Sequence, residues 1–476
     1  MNRYLRFTLL LACLMLTAHQ VQAQDQLPDC DYCKDRLHTL DALRAKLPAS
    51  WKLQMEQEPV FDGEVLTVQA GTEHPRTLLL VHGMGQNGFT DWVPVMEHLA
   101  ERYHVLTLDL PGFGYSDSPA GKYSPRNYAR VLVWLLQRYS KGPAIVVGHS
   151  MGGAVSLRFA SEYPALLDKL VLVDAAGILH RSAFVKYPVT SALSVDGRPF
   201  FLNSVAARIK DLENNAVEKI TGLYDPTRLL RNDSNIGGVL MSNYPNLNVG
   251  MAMTEEDFSA AIYTMQTPTQ IIWGEQDNIA PPRTGLMLAR RLHQAQLRTL
   301  PGVGHTPMEP DGIDAFQAML DTVLDNEPQP AHHAAPDGKR DLRCKGLSGK
   351  TYSGNYNEVR IESCTGIKLH DLSARHIVVR DSIVEMSNAQ IHSNGLALEV
   401  INSELIATAG EISGTTDIRA DNSRIDLAGF ILDASDHAVE VQSSSRLIGS
   451  ANEIHSPDYT GYWQGNQKIE KAVLQP

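Results

Sequence analysis

Positive charge is scarce in this chain: 42 lysines and arginines face 54 acids, giving a net charge of −12. No basic run offsets the deficit, so a nucleic-acid partner is not expected. Long apolar runs are also missing, and no stretch after residue 23 approaches the length of a membrane-spanning helix. The apolar stretch Phe7–Leu16 is too short to span comfortably. It follows Arg3 and Arg6 and precedes the small-residue end Val21-Gln22-Ala23. That pattern reads as a signal peptide over residues 1–23, which makes the protein exported, periplasmic or secreted. Leu10-Leu11-Ala12-Cys13 offers an alternative, a lipoprotein box that leaves the chain lipid-anchored at Cys13.

Cysteine is sparse as well. Past residue 23 only Cys30, Cys33, Cys344 and Cys364 remain, and an even number in an exported chain favours disulfides. Cys30-x-x-Cys33 lacks both the βαβ surroundings of a redox motif and a second pair at zinc-like spacing. No metal and no cofactor are expected. Cys344 and Cys364 lie one repeat apart in the C-terminal region, so the preferred pairing is Cys30–Cys33 with Cys344–Cys364.

The 476 residues suffice for two or three domains, and 43% hydrophobic with 20% charged residues is ordinary for a soluble globular protein. A polar lead with a short helix over Leu37–Lys46 precedes two antiparallel edge strands, Trp51–Glu58 and Glu64–Gln69, around a turn at Asp62-Gly63. Apolar runs then alternate with amphipathic stretches. Thr77–Val81, His104–Leu108, Ala144–Val147, Lys169–Val173, Gln270–Trp273 and Gln296–Leu300 read as buried parallel strands. Trp92–Arg102, Asn127–Tyr139, Ala154–Glu162, Thr284–His293 and Gly312–Leu324 have helical spacing. This βαβα rhythm predicts a doubly wound α/β sheet. It breaks over residues 178–265, a helix-compatible insert with Phe200, Phe201, Tyr224, Tyr244, Met251 and Met253, read as a helical lid. Residues 326–340 read as a linker, with His332 and His333 solvated.

Beyond the linker, residues 341–476 repeat a theme of short alternating strands ending in Ser/Asn/Asp corners. The corner serines 363, 382, 403, 423 and 444 are separated by 19, 21, 20 and 21 residues. Such a period predicts an all-β, right-handed parallel β-helix. It is expected to act as a scaffold or interaction module, with cell-envelope or polymer contact open to it. Its acids Asp371, Asp381, Asp421, Asp426, Asp433 and Asp436 form the rival reading, a second catalytic or calcium site. The glycine-rich calcium nonapeptide is absent.

The chemistry concentrates where the strand Ala144–Val147 runs into Gly148-His149-Ser150-Met151-Gly152 and a helix follows at once. Gly-x-Ser-x-Gly in that context holds a serine on a strained turn with its hydroxyl exposed. A serine needs a base, and His305 stands on a loop after Gln296–Leu300. A base needs an acid to set its tautomer, and Asp277 follows Gln270–Trp273. Asp174, at the end of Lys169–Val173, is the rival acid. Glu275 reads as solvated, His149 as a packing residue, and Asp109 with Ser116 as a turn-holding pair.

With these motifs in order, residues 50–325 resemble the lid-bearing branch of the α/β-hydrolase family. The likeness rests on Leu79-Leu80-Val81-His82-Gly83-Met84-Gly85, Asp109-Leu110-Pro111-Gly112-Phe113-Gly114-Tyr115-Ser116, Gly148–Gly153, Trp273–Asp277 and Gly304-His305. It implies a Ser150–Asp277–His305 triad, an oxyanion hole from the backbone N–H groups of Met84 and Met151, and a hydrolase domain over 24–325. Epoxide hydrolases and haloalkane dehalogenases of this fold carry an Asp nucleophile, which Ser150 argues against. The expected activity is cleavage of a small-molecule carboxylic ester or acyl substrate. Amidase, aminopeptidase-like and carbon–carbon bond hydrolysis use the same machinery, and a surface-binding protein with a vestigial hydrolase is the non-enzymatic alternative.

Overall fold

The computed structural model describes residues 39–180 and 245–476, apart from positions 86, 120, 122, 330–337 and 339. The signal-peptide reading, Cys30, Cys33, His332, His333 and most of the lid lie outside the described residues. Residues 39–44 are helical. Ser50–Pro476 forms one compact unit.

Eight strands make the first sheet: β1 (Lys52–Glu58), β2 (Gly63–Ala70), β3 (Thr77–Val81), β4 (His104–Leu108), β5 (Ala144–His149), β6 (Leu167–Val173), β7 (Thr269–Gly274) and β8 (Ala295–Leu300). Their order is β1-β2-β4-β3-β5-β6-β7-β8. β1 and β2 pair antiparallel, β2 meets β4 antiparallel, and the rest run parallel. The central strands are apolar at almost every position because helices cover both faces. Leu78 to Val81 and Ile145 to Val147 are all fully buried. The covering helices are α1 (Val93–Ala100), α2 (Pro125–Tyr139), α3 (Met151–Glu162), α6 (Arg283–Arg291) and α7 (Ile313–Asp325), with α4 (Pro245–Glu255) and α5 (Ser259–Thr264) between β6 and β7. α2 starts where Pro125 supplies a preset φ and the Ser124 hydroxyl accepts the Asn127 N–H at 3.3 Å.

The second body is a parallel β-solenoid of strands β9 (Leu342–Lys345) to β20 (Ser445–His455). One wall stacks Val359, Ile377, Leu398, Ile418 and Val439 in register, another Ile367 and Val384, and a third Ile391, Ile412, Leu432 and Ile454 in one column. All of them point inward and are buried. The last coil is closed by β21 (Thr460–Ile469) and β22 (Ala472–Val473), both antiparallel to it, which cap the growing edge.

The corner serines explain the period, with one shift of position. The N–H of Ser382 donates to Ser403 Oγ at 3.0 Å, Ser403 to Ser423 at 3.1 Å, and Ser423 to Ser445 at 3.1 Å. Each hydroxyl in turn donates to the carbonyl two residues back. The ladder therefore ends on Ser445, not Ser444, and begins on Cys364, not Ser363: the Cys364 N–H donates to Ser382 Oγ. Asp381, Asn402 and Asn422, each preceding a ladder serine, take the left-handed conformation, φ 44–49°, which small polar residues tolerate best.

This ladder corrects the expected Cys344–Cys364 disulfide. Both thiols are free and buried. Cys364 Sγ does the work of a ladder hydroxyl, donating to Glu362 O at 3.2 Å and accepting from Leu347 N at 3.5 Å. The first coils are shorter than twenty residues, so the Cys344 backbone lies in register with Ile361, and its thiol neighbours that of Cys364 without bonding to it. The solenoid acids are likewise engaged, Asp381 by Asn402, Asp421 by Ser443, Asp371 by Asn388 and Asp426 by Arg283. Among the described residues no group of three potential metal ligands gathers.

Candidate active site

β5 ends in Ser150, whose backbone sits at φ 52°, ψ −120°, a conformation that L-residues avoid. The turn is held there by its own hydrogen bonds. Ser150 N–H donates to Val173 O at 3.0 Å, and Ser150 O accepts from Gly153 and Ala176 at 3.0 Å each. Gly148 and Gly152 are required by space. A Cβ on Gly148 would lie 2.3 Å from Gly152 O, and one on Gly152 would lie 2.3 Å from Val81 O. The absence of both side chains lets α3 start directly behind the strand.

The loop after β8 brings His305 to this turn, its Nε2 at 2.9 Å from Ser150 Oγ. Its Nδ1 donates to Asp277 Oδ2 at 2.8 Å. Asp277, at the end of β7, is almost fully buried, and its Oδ1 accepts the N–H groups of Ile279 and Ala280 at 2.8 Å each. The carboxylate thus has one oxygen fixed by backbone and one facing the imidazole. That leaves His305 Nε2 as the acceptor toward the serine hydroxyl.

Asp174 does not reach His305. Its Oδ1 accepts from Gly274 N at 2.8 Å. Burial, with the charge of Asp277 beside it, holds the Asp174 carboxyl well above the usual carboxylate range. Glu275 turns away to accept from Thr299 Oγ1.

Two residues do more than their sequence context indicated. His149 Nε2 donates to the backbone carbonyl of His305 at 2.7 Å, and the two rings lie 5.1 Å apart. Burial, together with the neighbouring His305, pushes the His149 imidazole down to about 3, so it stays neutral. It is a packing residue that also ties down the loop carrying His305. His82 is the second. Its Nδ1 donates to Gly83 O at 2.7 Å while its Nε2 accepts from Leu110 N at 2.9 Å, and burial lowers its pKa. This ring joins the loop after β3 to the loop after β4.

That first loop is the one carrying Met84. A Cβ on Gly83 would lie 3.0 Å from both Ser150 Cβ and His149 Nδ1, so the loop crosses directly over the serine. Asp109 fixes its far end by accepting from Phe89 N at 2.6 Å and from Tyr115 N at 2.8 Å. Ser116 Oγ donates to Asp109 O and accepts from Leu66 N, so both members of the expected pair do hold turns. Met151 opens α3, where backbone N–H groups are unpaired by helix geometry. A hydroxyl, an imidazole, a buried carboxylate and two backbone stretches therefore converge on one side of the sheet.

Comparison with known proteins agrees with the architecture. A family model described as the alpha/beta hydrolase fold matches residues 76–311. An uncharacterized protein of Mycobacterium tuberculosis is 32% identical over 269 residues, spanning 52% of this chain and 75% of that one. Lipase 3 of Moraxella sp. is 30% identical over 258 residues, with 52% and 75% covered. Among solved structures, a thermophilic esterase from Thermogutta terrifontis is 23% identical, covering 58% of this chain and 98% of its own, with a TM-score of 0.41. The chain belongs to the α/β-hydrolase fold family, and its relatives include lipases and other hydrolases.

Proposed function

We infer that this protein is an exported serine hydrolase that cleaves carboxylic esters through an acyl-enzyme. The observation that carries the reading is the hydrogen-bonded chain from Ser150 Oγ through His305 to the backbone-anchored Asp277. In the first step His305 Nε2 takes the hydroxyl proton as Ser150 Oγ bonds to the ester carbonyl carbon. The oxyanion that forms is received by the N–H groups of Met84 and Met151, donors that contribute roughly 3–4 kcal/mol each when preorganised. His305 returns the proton to the departing alkoxide. Water, deprotonated by the same imidazole, then releases the acid and restores the serine. Asp277 keeps the imidazole in the one tautomer that permits this and balances its charge while protonated.

The ester is chosen on the likeness to lipases. Export rests on the basic and apolar pattern of residues 1–23, and a mature chain beginning at Gln24 is its expected mark. The test of the chemistry is a fluorophosphonate probe on the full chain followed by p-nitrophenyl esters of graded acyl length. Labelling confined to Ser150 and acyl-length-dependent turnover are expected. A folded protein that neither labels nor hydrolyses any ester overturns the reading.

A further inference from the structure

Among the described residues, the solenoid meets the hydrolase chiefly along one column of corners and through the capping strand β21. On successive coils this column presents Ala409-Gly410, Gly429 and Ser450-Ala451, with Ala409, Gly429 and Ala451 in the left-handed conformation. Small residues there let a helix approach closely: a Cβ on Gly429 would lie 2.4 Å from Met287 Cγ of α6. α6 offers Arg283, Arg290 and Arg291, which the i, i+7, i+8 spacing places on one face. Arg291 Nε donates to Gly429 O and its Nη2 to Gly410 O, both at 2.7 Å, and its Nη1 lies 3.3 Å from Glu411. Arg283 Nη2 lies 3.0 Å from Asp426 Oδ1 and 3.3 Å from Ala407 O. Arg290 approaches Asp371 at 4.0 Å. The Arg291 side chain is 7% exposed and the Asp426 side chain 5%. Guanidinium groups are tolerated out of water at such depth only with acceptors of this quality around them.

What α6 is attached to gives the contact its meaning. Its N-terminus is Pro281-Pro282, and these follow directly on Ile279 and Ala280, whose N–H groups hold the Asp277 carboxylate. Two consecutive prolines have fixed φ and make a stiff connector. Trp273 Nε1 pins Ala280 O at 3.0 Å, and Thr284 N–H closes back on Pro281 O at 2.8 Å. A shift of α6 is therefore passed to Asp277 instead of being absorbed between them. The same column and the capping strand β21 also hold the chain beside β6 and β7. His180 N donates to Ser450 Oγ at 2.9 Å, Tyr263 OH to Ala451 O at 3.1 Å, and Gln464 Nε2 to Glu256 O at 3.1 Å.

From this geometry we propose that the solenoid is a working part of the hydrolase: a brace that positions Asp277 through Arg283 and Arg291 of α6. Both arginines are positioning residues, since neither touches the reacting groups. The proposal builds on the acyl-transfer reading given above, but half of its test does not depend on it. In the full-length protein, Arg283→Met and Arg291→Met should lower kcat on p-nitrophenyl butyrate by roughly 10–100-fold, the penalty of a small displacement in a catalytic group. KM should stay within about twofold on the same reasoning, because substrate contacts are untouched. Arg283→Lys, which keeps a donor toward Asp426, should recover part of the loss. Hydrogen exchange followed by mass spectrometry should show the amides of Ile279 and Ala280 exchanging faster in the Met variants. Folded variants with wild-type kcat and wild-type exchange at those amides overturn the brace. A wild-type protein without esterase activity, whose 279–280 amides still loosen in the variants, leaves the brace standing and overturns the acyl-transfer reading instead.

Discussion

Replacing Ser150 with alanine should reduce kcat for short p-nitrophenyl esters by a factor on the order of 10⁴–10⁶, with KM little changed. The loss is this large because, in the proposed mechanism, Oγ is the atom that forms the acyl bond, and nothing near it can stand in. Asp277 is turned toward His305 and held from behind by two N–H groups. His149 is neutral, and its Nε2 is committed to the His305 carbonyl. Asp174 is bound to Gly274 N. The substitution keeps the strained backbone of the turn, fixed by Val173, Gly153 and Ala176, so the thermal transition should stay where it is. A small residual rate above water is expected, since His305 and the oxyanion donors remain to assist a direct attack by water. Activity within tenfold of the parent in Ser150→Ala, at matched folded fraction, would falsify the nucleophile assignment.

Much of this architecture was legible because it repeats at short range. Parallel strands buried on both faces read as runs of Val, Ile and Leu, so β3 and β4 coincide with the expected segments to the residue. The three groups gathered at the site each follow a strand end and are flagged by glycines, which is why Ser150, Asp277 and His305 stand out in order. The contacts that were not legible join residues far apart in the chain. The role of Cys364 needed the ladder, in which a thiol occupies a serine's place between Leu347 and Glu362. His149 looked like packing because its partner is a backbone carbonyl 156 residues away. The docking of α6 left one readable trace, the recurrence of small residues at 407–410, 428–429 and 449–451 at the solenoid period. Small residues also suit any tight corner, so that trace did not point to a helix.

The solenoid holds one group that works against its own stability, and neutralising it should strengthen the protein. Asp417 lies in β17 (Glu411–Asp421), completely buried, and neither carboxyl oxygen has a well-formed hydrogen bond. Burial, helped by the nearby Asp433 charge, pushes its carboxyl up to about 8, while the N–H groups of Asp433 and Gly414 only partly offset the loss of water. In the unfolded chain the same group titrates near 3.8. Between those two values the folded state keeps a proton that the unfolded state has released. The difference in bound protons is then minus one, and stability falls as pH rises, by about 1.4 kcal/mol per pH unit. Above pH 8 both states are ionised and the slope from this group vanishes. Asp417→Asn supplies a neutral side chain of the same shape, so it should leave stability nearly unchanged near pH 4. At pH 8 it should raise stability by something on the order of 4–5 kcal/mol. Urea unfolding of parent and variant at pH 4, 6 and 8 measures the gap directly. A gap that does not widen with pH would mean that Asp417 is not carrying this proton.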